Sequence, residues 1–120
     1  MTVTPVSTPN QTIWESDFMG YKCRVYDITF DSAYLTTGEV ITAASLGWNT
    51  IQGALILEHA QNRASSGTLS VGLIIRPNAA RTQVTVQAYE TAATVDTSHK
   101  EVTSAADLST YTARVAFIGT

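Results

Sequence analysis

The chain is poor in charge, in cysteine and in long apolar runs. Of its 120 residues 14% are charged, where an average domain has roughly 25%. Two lysines and five scattered arginines, against 10 acidic residues, form no basic patch for gripping phosphates, which argues against nucleic acid as a primary partner. A single cysteine, Cys23, excludes an intrachain disulfide framework and any Cys-rich zinc site, and it fits synthesis in a reducing cytoplasm. No apolar run approaches the ~18 residues of a membrane helix, and no basic-plus-apolar start marks secretion. The sequence therefore reads as one soluble domain with no membrane partner. What it has in quantity is hydroxyl: 19 Thr and 10 Ser. With Val, Ile and Tyr, this composition favours pleated sheet over helix. A surface of hydroxyls with few charges carries little of the repulsion that keeps monomers apart, so partners are expected to cover part of it.

Residues 1 to about 16, MTVTPVSTPNQTIWES, lack strand or helix periodicity until Ile13 and Trp14, and Pro5 and Pro9 bias the backbone toward extended conformations. We read residues 1–18 as an extended N-terminal arm ahead of a single domain over 19–120. Sixteen extended residues reach about 50 Å, beyond the roughly 14 Å radius of gyration of such a domain, so the arm can touch a neighbour. In YKCRVYDITF, Tyr21–Phe30, apolar residues switch parity between Val25 and Ile28, which predicts a bulge or sheet crossing near Tyr26 and Asp27. Thr42–Gly47 has the form of one capped helical turn, with a Thr hydroxyl at its start and a glycine at its close. Ile51–Glu58 is a continuous apolar run of strand length, expected to be covered on both faces. Thr68–Arg76 and Thr82–Glu90 read as a hairpin across RPNAAR; Gly72 hints at a bulge, and Val84, Val86 and Ala88 share one face. Residues 92–101 read mostly as loop. Ser104–Ser109 repeats the pattern of Thr42–Gly47, and a final alternating strand follows over Tyr111–Ile118. The expected fold is an all-β sandwich of jelly-roll or Greek-key type, with the arm and one or two short capped helical turns.

The chain holds little raw material for catalysis. His59 follows a buried strand, and His99 sits in the loop SHKE; their separation gives no zinc spacing. Cys23 occupies an inward-looking strand position and reads as a small core residue. Asp27 and Asp31, four apart in a strand, lie about 13 Å apart, too far for a glycosidase pair. There is no P-loop, no GxGxxG and no G-x-S-x-G. The expectation is a protein that is not an enzyme and has no cofactor, metal or catalytic residue. Among the aromatics, Trp48 is assigned to the core and Trp14 to an interface.

Val25–Gly47, VYDITFDSAYLTTGEVITAASLG, resembles a group of small tailed-phage structural proteins. In that group a strand ending in T-F-D-S-S-Y is followed by a T-G-G-E-like turn and then L-T-A-A-D-L-G. At the other end, SAADLS (Ser104–Ser109) and RVAFIG (Arg114–Gly119) are similar to that group's A-T-D-L-S and R-V-x-x-I-G, in the same order. The middle, Ala60–Lys100, departs from the pattern. The resemblance implies a bacteriophage capsid decoration, or cement, protein. Such a protein is made in the bacterial host cytoplasm and bound outside the major capsid protein shell of the virion as a homo-oligomer, a trimer or dimer at symmetry axes. It directs attention to Val3, Pro5, Val6, Pro9, Ile13 and Trp14 as contacts to capsid or to a neighbouring copy, with Ile13 and Trp14 as anchors. The alternatives are a tail or head-fibre component and a carbohydrate-binding β-sandwich module.

Overall fold

The computed structural model describes residues 1–6, 15–62, 70–90, 100–102 and 104–120. Its strands are β1 (Thr2–Pro5), β2 (Glu15–Phe18), β3 (Tyr21–Thr29), β4 (Glu39–Thr42), β5 (Ile51–Asn62), β6 (Ser70–Pro77), β7 (Gln83–Glu90), β8 (Lys100–Glu101) and β9 (Tyr111–Gly119). All pairs are antiparallel. The order β1-β3-β9-β5-β6-β7-β4, with β2 beside β3 and β8 beside β7, curls into an open half-barrel. The all-β expectation holds.

Alternation within the strands builds the core. On β9, Ala113, Val115 and Phe117 are fully buried, and opposite them on β3 lie Ile28, Tyr26 and Arg24. From the other half, Val84, Val86 and Ala88 of β7 and Val71 and Leu73 of β6 point into the same cluster. Each such side chain contributes roughly 1.5–3 kcal/mol by leaving water. Trp48 is buried, as its assignment to the core anticipates. The Arg24 guanidinium lies 5.4 Å from its ring centroid, donates to the Leu46 carbonyl at 3.2 Å and pairs with Glu15. Gly119 is required here, because a Cβ would lie 2.0 Å from the Thr50 carbonyl oxygen and 2.8 Å from the Trp48 ring.

The capped turn forms as a single 3-10 turn over Ala44–Leu46: Thr42 Oγ1 accepts from Ser45 N–H at 3.2 Å, and Gly47 takes the left-handed conformation at φ 72°. Ser104–Ser109 does not repeat it. Asp107 instead accepts from both the backbone and the hydroxyl of Ser109, and Ala105 has φ 65°. The β6–β7 hairpin is as expected, but its register runs unbroken past Gly72. β3 likewise runs without a bulge from Lys22 to Thr29. Both of its parities are apolar because both faces of this half of the sheet carry apolar side chains. The bulges lie in β5, between Ile51 and Gly53 and again on either side of Glu58. Nor is β5 covered on both faces: Leu55 and Leu57 are 50% and 51% exposed.

Among the described residues β5 and β6 pair through two rungs, Ala60↔Val71 and Gln61↔Ser70. Beyond them the strands part, and the Leu73 N–H is taken up by His59 Nδ1 at 3.1 Å. A side chain thus takes the place of a ladder partner where the sheet curls.

Candidate interaction surface

The segment read as an arm is partly tied into the sheet. Residues 2–5 pair with Tyr26–Thr29, and residues 15–18 pair with Tyr21–Arg24. Val6 N–H donates to the Val25 carbonyl at 2.9 Å, and Glu15 lies opposite Arg24. Val6 and Glu15 thus meet β3 at adjacent rungs, opposite Val25 and Arg24. Val3 points inward and packs against the core, and Pro5 lies opposite Tyr26. Pro9, Ile13 and Trp14 lie outside the described residues, as does His99.

Asp27 and Asp31 each have another partner. Arg114 clamps Asp27 with two parallel bonds, Nε to Oδ1 at 2.8 Å and Nη2 to Oδ2 at 3.0 Å. Asp31 accepts from Ala33 N–H at 3.0 Å and from the Met1 amine at 3.3 Å, and these contacts, the backbone bond foremost, hold its pKa below the usual value. Cys23 is half-buried opposite Ile118 on the outward face, not in the core, and burial pushes its thiol pKa up. Among the described residues, no three His, Cys, Asp or Glu side chains gather closely enough to hold a metal, and no helix is long and apolar enough to cross a membrane.

Three surface features remain. The first is on the outward face of β2-β3-β9-β5, where register places the exposed Phe18, Tyr21 and Leu55 and the half-buried Cys23 and Ile118 on one side of the sheet, around the buried pair Val25 and Ala116 and bordered by the Asp27–Arg114 clamp. The second is the β2–β3 hairpin tip. Met19 and Gly20 both have positive φ, 50° and 86°, as a two-residue type I′ turn demands. Asn or Asp usually fills the first of these positions, whereas here Met19 stands 87% exposed. The third is a cleft of about 260 Å³ between β1 and β4, the outermost strands among the described residues, lined by Met1, Val3, Val40, Ile41, Thr42 and Ser45.

Sequence reasoning missed the polar lock on the opposite side of the core. Tyr34, fully buried, donates its hydroxyl to Glu101 Oε1 at 2.9 Å and accepts from Ala88 N–H at 2.9 Å. Glu101 Oε1 also accepts from Thr37 N–H at 2.7 Å. The loop around Tyr34 is stitched to the segment before β9 by Tyr34 N–H to Ala106 C=O, Ala105 N–H to Tyr34 C=O and Leu108 N–H to Asp31 C=O. Nothing in sequence spacing links residues 67 positions apart; an isolated Tyr in a hydroxyl-rich loop was the only cue.

Comparison of the chain with protein-family models, with curated proteins and with solved structures finds no match.

Proposed function

We propose that this is a virion structural protein of the capsid decoration type, a β-sandwich of jelly-roll character that binds the outside of a major capsid protein shell and acts without catalysis. The observation that carries this reading is spatial. The stretches that resemble tailed-phage structural proteins, Val25–Gly47 on one side and Ser104–Ser109 with Arg114–Gly119 on the other, lie far apart in sequence but form one body. β3 and β9 pair over eight rungs, and the loop after β3 is bonded to the segment before β9. Residues shared with a family for a common fold are expected to meet in this way. The surface supports the same reading: a decoration protein needs apolar faces and free strand edges for many small contacts multiplied by symmetry, and the outward face and the β1–β4 cleft provide them.

The test is a low-resolution reconstruction of virions carrying this protein with a bound label. Label on the head exterior at symmetry-related positions is the expected result. Label confined to the tail or to fibres would transfer the protein to the alternative virion role, and an unlabelled particle would overturn both.

A further inference from the structure

The tip of the β2–β3 hairpin carries an inference about the chemistry this chain can undergo. At φ 50°, Met19 occupies a backbone conformation that Gly, Asn or Asp adopts with less strain. A residue in such a conformation is ordinarily held there by its surroundings. Packing does not hold this one, because Met19 is 87% exposed. The turn therefore gains nothing from the side chain, and what sets Met19 apart from Asn or Gly is a thioether standing in water. Its neighbours make the setting apolar: Phe18 and Tyr21 face each other across the last rung of the hairpin and are 44% and 40% exposed. Of the three, methionine is the one whose polarity a mild oxidant changes.

The other sulfurs of the chain are placed differently. The sequence has two methionines and one cysteine. The Met1 side chain is 2% exposed and packs against the core at the cleft between β1 and β4. Cys23 is half-buried, and burial pushes its thiol pKa up, which keeps down the thiolate that oxidants attack. Susceptibility follows access, so the two thioethers are separated by the fold: one is open to any small oxidant, the other is shielded on all sides but the cleft.

We propose that Met19 is a sulfoxidation site, at which a peroxide turns the apolar hairpin tip polar and leaves the fold intact. The thioether sulfur takes one oxygen from hydrogen peroxide as the O–O bond breaks. Sulfur gives up two electrons and becomes a sulfoxide, and the second oxygen leaves with both protons as water. The product is polar and chiral where the parent side chain was apolar, and methionine sulfoxide reductases reverse the change. Water already surrounds the side chain, so the new dipole requires no repacking of the core. The inference goes beyond the proposed function and does not rest on it, since each of its readouts is made without any shell.

The experiment exposes the full chain to hydrogen peroxide at pH 5, where Cys23 stays a thiol, and follows each methionine over time by peptide mapping and mass spectrometry. In the native protein Met19 is expected to oxidise at least about tenfold faster than Met1, and in concentrated urea the two rates are expected to converge. Protein oxidised at Met19 is expected to keep the Tm of the untreated chain and to elute earlier from a phenyl column under native conditions. Met19→Leu keeps the tip apolar without its sulfur; it is expected to elute like the untreated wild type and to stay there after peroxide. Oxidation of Met19 no faster than that of Met1 in the native chain overturns the proposal. So does a fall in Tm on oxidation at Met19, an elution position that oxidation leaves unchanged, or a shift that persists in Met19→Leu.

Discussion

Replacing Tyr34 with Phe removes one oxygen from the fully buried position between the loop after β3 and the strands β7 and β8, with little change in shape. Two bonds go with it. The Ala88 N–H loses its acceptor in a buried setting, at a cost of about 1–3 kcal/mol, and a bond to a charged acceptor, worth about 1.5–3 kcal/mol, disappears while Glu101 keeps the Thr37 N–H. The two losses share one atom and do not add fully, so the expected net cost is roughly 2–4 kcal/mol. For a chain of this length that lowers Tm by about 10 °C. A second readout identifies the hydroxyl itself. Burial foremost, and the bond donated to Glu101, raise the Tyr34 pKa well above its usual value, against the opposing Ala88 N–H. A raised folded-state pKa means that the unfolded chain releases this proton first. Stability from Tyr34 is therefore complete below about pH 10 and is lost above it at up to about 1.4 kcal/mol per pH unit. Urea denaturation of wild type and Tyr34→Phe at pH 7, 10 and 11 should show the gap between them wide at neutral pH and narrowing at pH 11. A gap below about 0.5 kcal/mol at pH 7, or one that stays constant from pH 10 to 11, would refute the lock.

Two further substitutions probe other parts of the molecule. Gly119→Ala drives a methyl into the Thr50 carbonyl and the Trp48 ring, and overpacking of this kind costs about 1–3 kcal/mol or more, read as a fall in Tm; an unchanged Tm would mean that the end of β9 yields easily. Met19→Asn places a residue that tolerates positive φ in the type I′ turn and should raise stability by about 0.5–1 kcal/mol in the same denaturation assay. A loss would show that Met19 makes contacts its exposure does not suggest.

Strand existence and the β6–β7 hairpin were legible because they rest on local alternation and a turn of Pro and Asn. The capped turn at Thr42 was legible for the same reason, its cap and closing glycine lying within six residues. Ser104–Ser109 has the same letters but a different structure, because its backbone is committed to distant partners: Ala105 and Ala106 bond to Tyr34, and Leu108 bonds to Asp31. The parity switch in β3 was a true signal with the wrong cause. Sequence shows that two faces are apolar, and only the register reveals that no extra residue is inserted. Leu55 and Leu57 misled in the opposite sense, since an apolar run reports what a strand is able to bury and not what its own chain supplies to cover it. Of the surface features, the β4 edge could not be read at all. Which backbone groups face outward depends on the phase of the ladder with β7, set by residues some 45 positions away.

The position of β9 governs the order in which the molecule can be assembled as it is made. β9, synthesised after both β3 and β5, is the central strand between them, and its rungs join residues as distant as Lys22 and Gly119. The β6–β7 hairpin closes locally and can form as soon as its residues are free, whereas β3 and β5 are not paired with each other and wait for β9, which is made after both. Until then the inner faces of both strands, Tyr26, Ile28 and Ile51 among them, have no strand between them. Synthesis of β9, more than collapse of the strands before it, is therefore the event that commits this half of the fold, and substitutions that weaken β9 should act on folding yield before they act on any surface.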